Sequence, residues 1–256
     1  MPWQPEQYLK FQDERYLPFE DLFPLIRVRA GLSVVDLGCG NGELTRRLAD
    51  RLPESTVLGV DSSPTMLGKA QPFVRPGLDF ALREIAALRG TWDLVFSHAA
   101  LHWLDDHRRL IPRLLALVRP GGQVAVQVPS NHRHLAHLLI IETASEEPFR
   151  SALGGWLRHS PVLEIDQYAE LLHRAGGTDL TVFEKVYPHR LADADAIAEW
   201  TAGSTLVPYF ERLPQELHEP FRERYRGKLR RAYPPGPVLY TFRRIFFAAT
   251  VKGPDR

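Results

Sequence analysis

From Leu32 onward the chain alternates between short continuous apolar runs and longer stretches whose apolar residues recur at helical spacing. "SVVDLG" reads as a buried strand. "GELTRRLADRL" follows as a helix, with Leu44, Leu48 and Leu52 on one face. "STVLGVD" is a second strand, and "SPTMLGKAQ" opens a helix with Ser63 as N-cap and Pro64 at the first helical position. "LDFALRE" and "WDLVFSHAA" are the third and fourth strands. "HRRLIPRLLALV" is a helix closed by an "RPGG" turn, and "QVAVQVP" is the fifth strand. This alternation predicts a parallel sheet with helices on both faces.

The flanking segments are patterned differently. Residues 5–26 carry Tyr8, Phe11, Tyr16, Phe19, Leu22 and Phe23 at helical spacing, with a predicted interruption near Pro18. After Pro129, "SNHRHLAHLLIIETASEEPFRSALGG" reads as a helical insertion, "DQYAELLHRAGG" as an amphipathic helix, and "TDLTVFEKVYPHRL" as a sixth strand. Residues 193–234 are predicted all-helical, with turns at Pro208, Pro214 and Pro220, and "VLYTFRRIFFAATVKG" is the last strand. The expected organisation is an N-terminal helical lid over 1–30 and a core over 31–129, resumed at 166–192 and 237–256. Helical blocks at 130–165 and 193–236 interrupt that core. They are expected over the carboxyl ends of the strands, where open α/β sheets bind ligands.

Composition narrows the function classes. The 256 residues are 44% apolar and 25% charged, ordinary for a water-soluble domain. A formal net charge of +1 argues against a dedicated nucleic-acid binder. One cysteine, Cys39, excludes an internal disulfide and a multi-cysteine zinc site, so no metal is expected. No apolar run approaches the ~20 residues of a membrane span. The opening residues lack an apolar signal core, which predicts a cytoplasmic protein. No interface stripe stands out, which points to a monomer.

The candidate chemistry begins at "VVDLGCGNGEL". Its glycines read G-x-G-x-G (Gly38, Gly40, Gly42), whereas a dinucleotide loop needs a third glycine where Glu43 stands. Glu43 opens the helix, and a carboxylate is a poor neighbour for phosphate. Asp36 beside this loop suits a ligand with an amino group. Asp61 ends the second strand 19 residues past Gly42, placed to accept from two ribose hydroxyls. Together these describe a nucleoside with an amino-acid tail and no phosphate: S-adenosylmethionine.

"VVDLGCGNG" resembles the first motif of the class I methyltransferases, "GVDSSPTM" the second, and "FSHAALHWL" the fourth-strand motif that lines the methyl-transfer region. The resemblance implies a doubly wound, seven-stranded, mostly parallel Rossmann-like sheet with helical insertions forming a cap. It implies that Asp36 and the loop Gly38, Cys39, Gly40 and Asn41 hold the methionine moiety. Asp61, with Ser62 and Met66, would hold the ribose side. The family often has an Asp after the third strand for the adenine amino group. Here Glu84 stands in that place, beside Ile85, and Ser97 lies in the fourth-strand motif. The Cys39 thiol reads as a small group packed behind the loop, since transfer from a sulfonium needs no thiol nucleophile.

A narrower resemblance runs almost end to end. "WQPEQYLKFQDER", "FSHAALHWLDDH", "VAVQVPSN", "AEWTAGSTLVPYF" and "FRERY" are similar to the trans-aconitate 2-methyltransferases, which esterify one carboxylate of a small tricarboxylate. A carboxylate is already ionised at neutral pH, so positioning rather than strong base catalysis is expected. Arginine forks suit such an acceptor. Candidates for it are Arg15, Trp103, Asn131, Arg133 and Arg244, with His98, His102 and Trp103 as positioning groups. His132 and Arg243 lie alongside; Arg243 and Arg244 must face opposite sides of a strand, so at most one meets a given pocket. Each has a plainer reading: Arg15 paired with Glu14 or Asp13, the histidines as caps or surface groups, Trp103 as core. The basic run Phe221–Arg231 is most simply a solvated helix face. Its other readings are substrate steering, docking of an acidic malonyl carrier protein, or RNA contact. A non-catalytic sensor that keeps the cofactor loop is the alternative outside enzymes.

Overall fold

The computed structural model describes residues 13–253, with side chains from Tyr16 onward. The first part of the lid expected over 1–30, Tyr8 and Phe11 included, lies outside the described residues, as does the side chain of Arg15. Helix α1, Asp13–Leu22, runs on through Pro18 instead of breaking there. Proline removes the bond to the carbonyl of Glu14. The helix survives because Phe19 and Leu22 are fully buried, with Phe19 edge-on to Phe96 at 6.1 Å. Just beyond, the Gln123 amide accepts from the Arg27 N–H at 3.0 Å and donates to the Leu25 carbonyl, fastening the segment to the sheet.

Strand and helix then alternate as β1 Ser33–Leu37, α2 Glu43–Asp50, β2 Thr56–Asp61, α3 Pro64–Ala70, β3 Leu78–Leu82, β4 Trp92–His98, α4 His107–Ala116 and β5 Val118–Pro129. Ser63 caps α3 by accepting from the Met66 N–H at 3.3 Å, with Pro64 at the first helical position. The chain continues through α5 Leu135–Ala144, α6 Phe149–Ala152, α7 Ile165–Arg174, β6 Gly177–Leu191, α8 Ala194–Ala202, α9 Val207–Phe210, α10 His218–Ala232 and β7 Val238–Val251. "RPGG" is not a free turn but the bulged start of β5. Pairing with β4 jumps from Trp92–Val118 to Leu94–Gln123, and Gly121 takes φ +77° to make the jump.

The sheet order is β3-β2-β1-β4-β5-β7-β6, parallel from β3 to β5, with β7 antiparallel to β5. This is a Rossmann-like α/β sheet. The order reverses at β1 and β4, so the loops after these adjacent strands leave in opposite directions and open a crevice at their carboxyl ends.

The chain forms two compact units, and it passes from one to the other inside β6 and inside β7. The first unit comprises 13–129, 161–185 and 244 onward. Its core includes Val35, Val95, Ile111, Val126, Tyr168 and Phe247. The second comprises 130–160 and 186–243, with a core of Ile140, Phe149, Ile197, Tyr209, Phe221, Tyr225 and Tyr240. In this second unit the basic run is α10, and five of its cations face carboxylates. Arg222 and Arg226 meet Glu219, Arg224 meets Glu146, and Arg230 meets Asp195 and Glu223. Lys228, almost wholly buried, sits between Glu142 and Glu146 of the α5 segment. These arginines of the run thus lie on the solvent side of α10 in ion pairs, whereas Lys228 is buried between two carboxylates.

In the first unit α4 and α7 are joined by a buried hydrogen-bond chain. Burial holds the His107 imidazole below its ordinary range, so the ring is neutral. Its Nε2–H donates to the Leu101 carbonyl at 2.9 Å, which leaves Nδ1 to accept from the Tyr168 hydroxyl at 2.5 Å. The same hydroxyl accepts from the Leu163 N–H at 3.3 Å. Tyr168→Phe should therefore destabilise the protein by about 1–3 kcal/mol, the scale for stranding a buried polar group. Urea unfolding measures it, and an unchanged midpoint would show that the chain contributes nothing.

Candidate active site

Beyond β1 the backbone turns through three left-handed residues, Gly38, Gly40 and Gly42 at φ +77°, +56° and +76°. At Gly38 the constraint is spatial as well as torsional. A Cβ there would stand 2.2 Å from the Ala100 Cβ, in the turn after β4. The two strand-end loops therefore touch, an approach that only a residue without a Cβ allows. The Ile85 Cδ1 lies 3.9 Å from the same point, and the Met66 methyl is 3.1 Å from where a Gly40 Cβ would be. The predicted loop, Met66 and Ile85 are thus brought together. Glu84 precedes Ile85 and is exposed.

The Asp61 carboxylate links two loops. One oxygen accepts from the Gly40 N–H and the other from the Ser63 N–H, both at 2.9 Å. Ser62 between them is exposed. Asn41 shapes the entry to α2 by accepting from the Glu43 N–H at 3.3 Å. Glu43 sits in the first turn of α2, where the helix dipole favours an acid, and takes a hydrogen bond from the Tyr16 hydroxyl. The Arg47 guanidinium stacks 3.8 Å over the Tyr16 ring, completing a bracket between α1 and α2. Cys39 is buried, and burial with the nearby Asp36 and Asp61 charges pushes its thiol far above the ordinary range. A thiol held protonated is a poor nucleophile.

Asp36 is only 3% exposed and accepts from the Thr45 hydroxyl at 2.6 Å. No local motif marks Thr45, a buried polar residue in the first turn of α2. Ser97 is fully buried and donates to the Leu37 carbonyl at 2.9 Å, tying β4 to β1 directly below the loop. Ala100 carries no signal in the sequence beyond its small size after the fourth strand.

The acceptor candidates are placed as follows. His98 ends β4, its ring 6.3 Å from that of Phe19. His102 and Trp103 lie in the following 3-10 turn, rings 4.9 Å apart, and Trp103 is 48% exposed, so it is not core. Arg244 is 7% exposed on β7, opposite Pro129, while Arg243 is exposed, as strand alternation requires. Asn131 is buried within the second unit. Its amide accepts from the Arg243 N–H at 3.0 Å and donates to the Tyr240 hydroxyl at 3.2 Å. Arg133 is exposed and His132 half-buried. Among the described residues no group of three His, Cys, Asp or Glu side chains is arranged to hold a metal ion.

Burial pushes the Asp36 carboxyl up to about 7, with the Asp61 charge adding to the rise and the Thr45 bond opposing it. The sign follows from linkage. Between the ordinary 3.8 and about 7 the folded protein keeps a proton that the unfolded chain has released. Stability from this group therefore falls as pH rises through that window and levels off above it. Asp36→Asn keeps an acceptor for Thr45 and removes the charge. At pH 8 it should be more stable than the parent by on the order of 2–4 kcal/mol, with little difference at pH 4. Thermal melts across pH test this, and parallel curves for the two proteins would refute it.

Residues 34–122 match the family model of a methyltransferase domain. Over its whole length the chain is similar to trans-aconitate 2-methyltransferases. It is 48% identical to that of Deinococcus radiodurans over 98% of both chains, and 36% identical to that of Variovorax paradoxus over 98% of this chain and 99% of the relative. Among solved structures, phosphoethanolamine N-methyltransferase 2 of Haemonchus contortus in complex with S-adenosyl-L-methionine shares the fold. The TM-score is 0.56 at 18% identity, over 93% of this chain and 53% of that longer one. The motif order along the sheet, the loop geometry and this end-to-end similarity agree: the chain belongs to the trans-aconitate 2-methyltransferase family.

Proposed function

We propose that this protein transfers the methyl group of S-adenosylmethionine to one carboxylate of trans-aconitate, forming a monomethyl ester. The observation that carries the proposal is the end-to-end similarity to the Deinococcus radiodurans trans-aconitate 2-methyltransferase. The residues present fit the donor. The loop after β1 turns through left-handed glycines with no side chains of their own, and Asp36 and Glu43 flank it where a phosphate would be repelled. In this reading Asp36 and the backbone of Gly38, Cys39, Gly40 and Asn41 receive the amino-acid end. Asp61 receives the ribose hydroxyls on lone pairs left after its two backbone bonds, with Ser62 and Met66 alongside. Glu84 and Ile85 receive the adenine, and Ser97 holds β4 in place beneath the loop. When bound, the donor supplies a methyl group activated by its sulfonium charge.

The chain's own contribution is positioning. The acceptor carboxylate is ionised at neutral pH and needs no base, so the rate depends on holding it in line with the methyl group. Arg244, buried on β7, and Arg15 on α1 pair with acceptor carboxylates, and Trp103, His98 and His102 border the methyl-transfer region. Asn131 and Arg133 are assigned to the acceptor on their place in the chain, directly after β5. The helical lid over 1–30 and the blocks over 130–165 and 193–236 carry acceptor choice, because the donor motifs lie outside them. A carrier-protein acceptor is disfavoured, since the basic run of α10 already faces carboxylates of its own unit. No helix among the described residues is long and apolar enough to cross a membrane. The reading carries with it a cytoplasmic monomer with no metal and no nucleic-acid partner.

The decisive assay offers labelled donor with trans-aconitate, cis-aconitate, citrate, isocitrate and a malonyl carrier protein. Trans-aconitate should give a base-labile ester; turnover of another acceptor in its place would overturn the acceptor assignment. Two variants separate the roles. Asp61→Ala should weaken donor binding by roughly 1–3 kcal/mol in calorimetry. Arg244→Ala should raise the acceptor KM and leave donor affinity alone. The reverse pattern would exchange the two assignments.

A further inference from the structure

Two glutamines lie on the same face of β5 with opposite fates. Val124, Val126 and Val128 belong to the core with Ile111 and Tyr168, so Gln123, Ala125 and Gln127 face the other side, that of α1. Gln123 is fully used, with its oxygen taking the Arg27 N–H and its nitrogen serving the Leu25 carbonyl. Gln127, at the carboxyl end of the strand, is 0% exposed, and among the described residues neither its Oε1 nor its Nε2 has a hydrogen-bond partner. A buried amide with both atoms unmatched is rare in a native structure and opposes folding, so it requires a reason.

Its surroundings supply one. In the parallel register Gln127 stands beside His98 of β4, and in the antiparallel register opposite Phe246 of β7. Arg244 lies two residues from Phe246 on the same face, diagonal to Gln127. The face thus holds a neutral amide and a buried guanidinium on adjacent strands, in diagonal register, at the end of the sheet where β1 presents the glycine loop.

We infer that Gln127 is a positioning residue that holds the reacting carboxylate of the acceptor, while Arg244 pairs with a carboxylate that does not react. This deepens the methyl-transfer reading and rests on it. The reacting oxygen gives a lone pair to the methyl carbon as the carbon–sulfur bond breaks, the electron pair leaving with sulfur, and the carboxylate charge disappears into the ester. A cation on that carboxylate would stabilise the starting state more than the transition state and slow the reaction. A neutral Nε2–H loses less as the charge vanishes, yet orients the carboxylate plane.

The test uses the full chain with Gln127→Leu and Gln127→Glu. Leucine removes an unmatched amide, so the melting temperature should hold or rise and affinity for S-adenosylhomocysteine should stay the same. Turnover of trans-aconitate should fall on the order of 100-fold, mainly in kcat, the scale for a misplaced reacting group. Glutamate repels the acceptor when ionised and donates like the amide when protonated. That variant's activity relative to the parent at the same pH should therefore rise from pH 8 to pH 6, which cancels the titration of Asp36 common to both proteins. Unchanged kcat in Gln127→Leu, the result if buried water alone serves the amide, would overturn the inference. So would a drop in melting temperature with an equal loss of S-adenosylhomocysteine affinity, which marks a structural residue. If the parent protein methylates another acid and not trans-aconitate, only the acceptor assignment falls, and the same comparison with that acid decides Gln127.

Discussion

The close approach of Gly38 to Ala100 governs the geometry of the first unit. Two loops can meet at the carboxyl ends of β1 and β4 only because one has no side chain and the other has a single methyl. Asp61 then fixes the loop from the β2 side through the Gly40 and Ser63 amides, and Asn41 sets the entry to α2. Ser97 fastens β4 to β1 underneath. Each bond uses backbone polar groups that would otherwise be stranded at the ends of strands and helices. The result is a rim in which the loops after β1 and β2 are tied to each other by hydrogen bonds.

Charge in this rim is held at a cost. Asp36 is buried with one hydroxyl for company, and burial outweighs the Thr45 bond, so its carboxyl stays near neutrality. An acid poised in this way gains most from a cationic partner, which is what an ammonium or a sulfonium offers. The unmatched Gln127 amide is a second sacrifice on the same sheet. Both oppose folding, and both lie at strand ends where an α/β sheet meets its ligand, the pattern expected when local stability is given up for a binding surface.

The second unit distributes charge differently. Its longest helix carries a dense basic run, yet that charge is matched by Glu142, Glu146, Asp195, Glu219 and Glu223. Exposed pairs of this kind contribute little each. Their effect is to neutralise a surface that would otherwise attract polyanions, leaving an aromatic core of Phe149, Tyr209, Phe221 and Tyr225 to hold the helices together.

Local pattern was enough to identify the seven strands, most of the helices, the Ser63 cap and the glycine loop after the first strand. Apolar periodicity, capping chemistry and glycine conformation act over a few residues and are written directly into neighbouring positions. Pro18 misled for the same reason: its local effect is to break a helix, and only the burial of Phe19 and Leu22 overrides it. The motif positions of Asp36 and Asp61 were legible, but their bonding was not, since Thr45, Gly40 and Ser63 become partners only once β1, β2 and α2 are laid side by side. The same holds for the two arginines of β7 and the two glutamines of β5. Alternation says that Arg243 and Arg244 face apart and that Gln123 and Gln127 face together. Which arginine is buried, and which amide is left unmatched, depends on what packs against each strand, and a chain read in one dimension does not contain that.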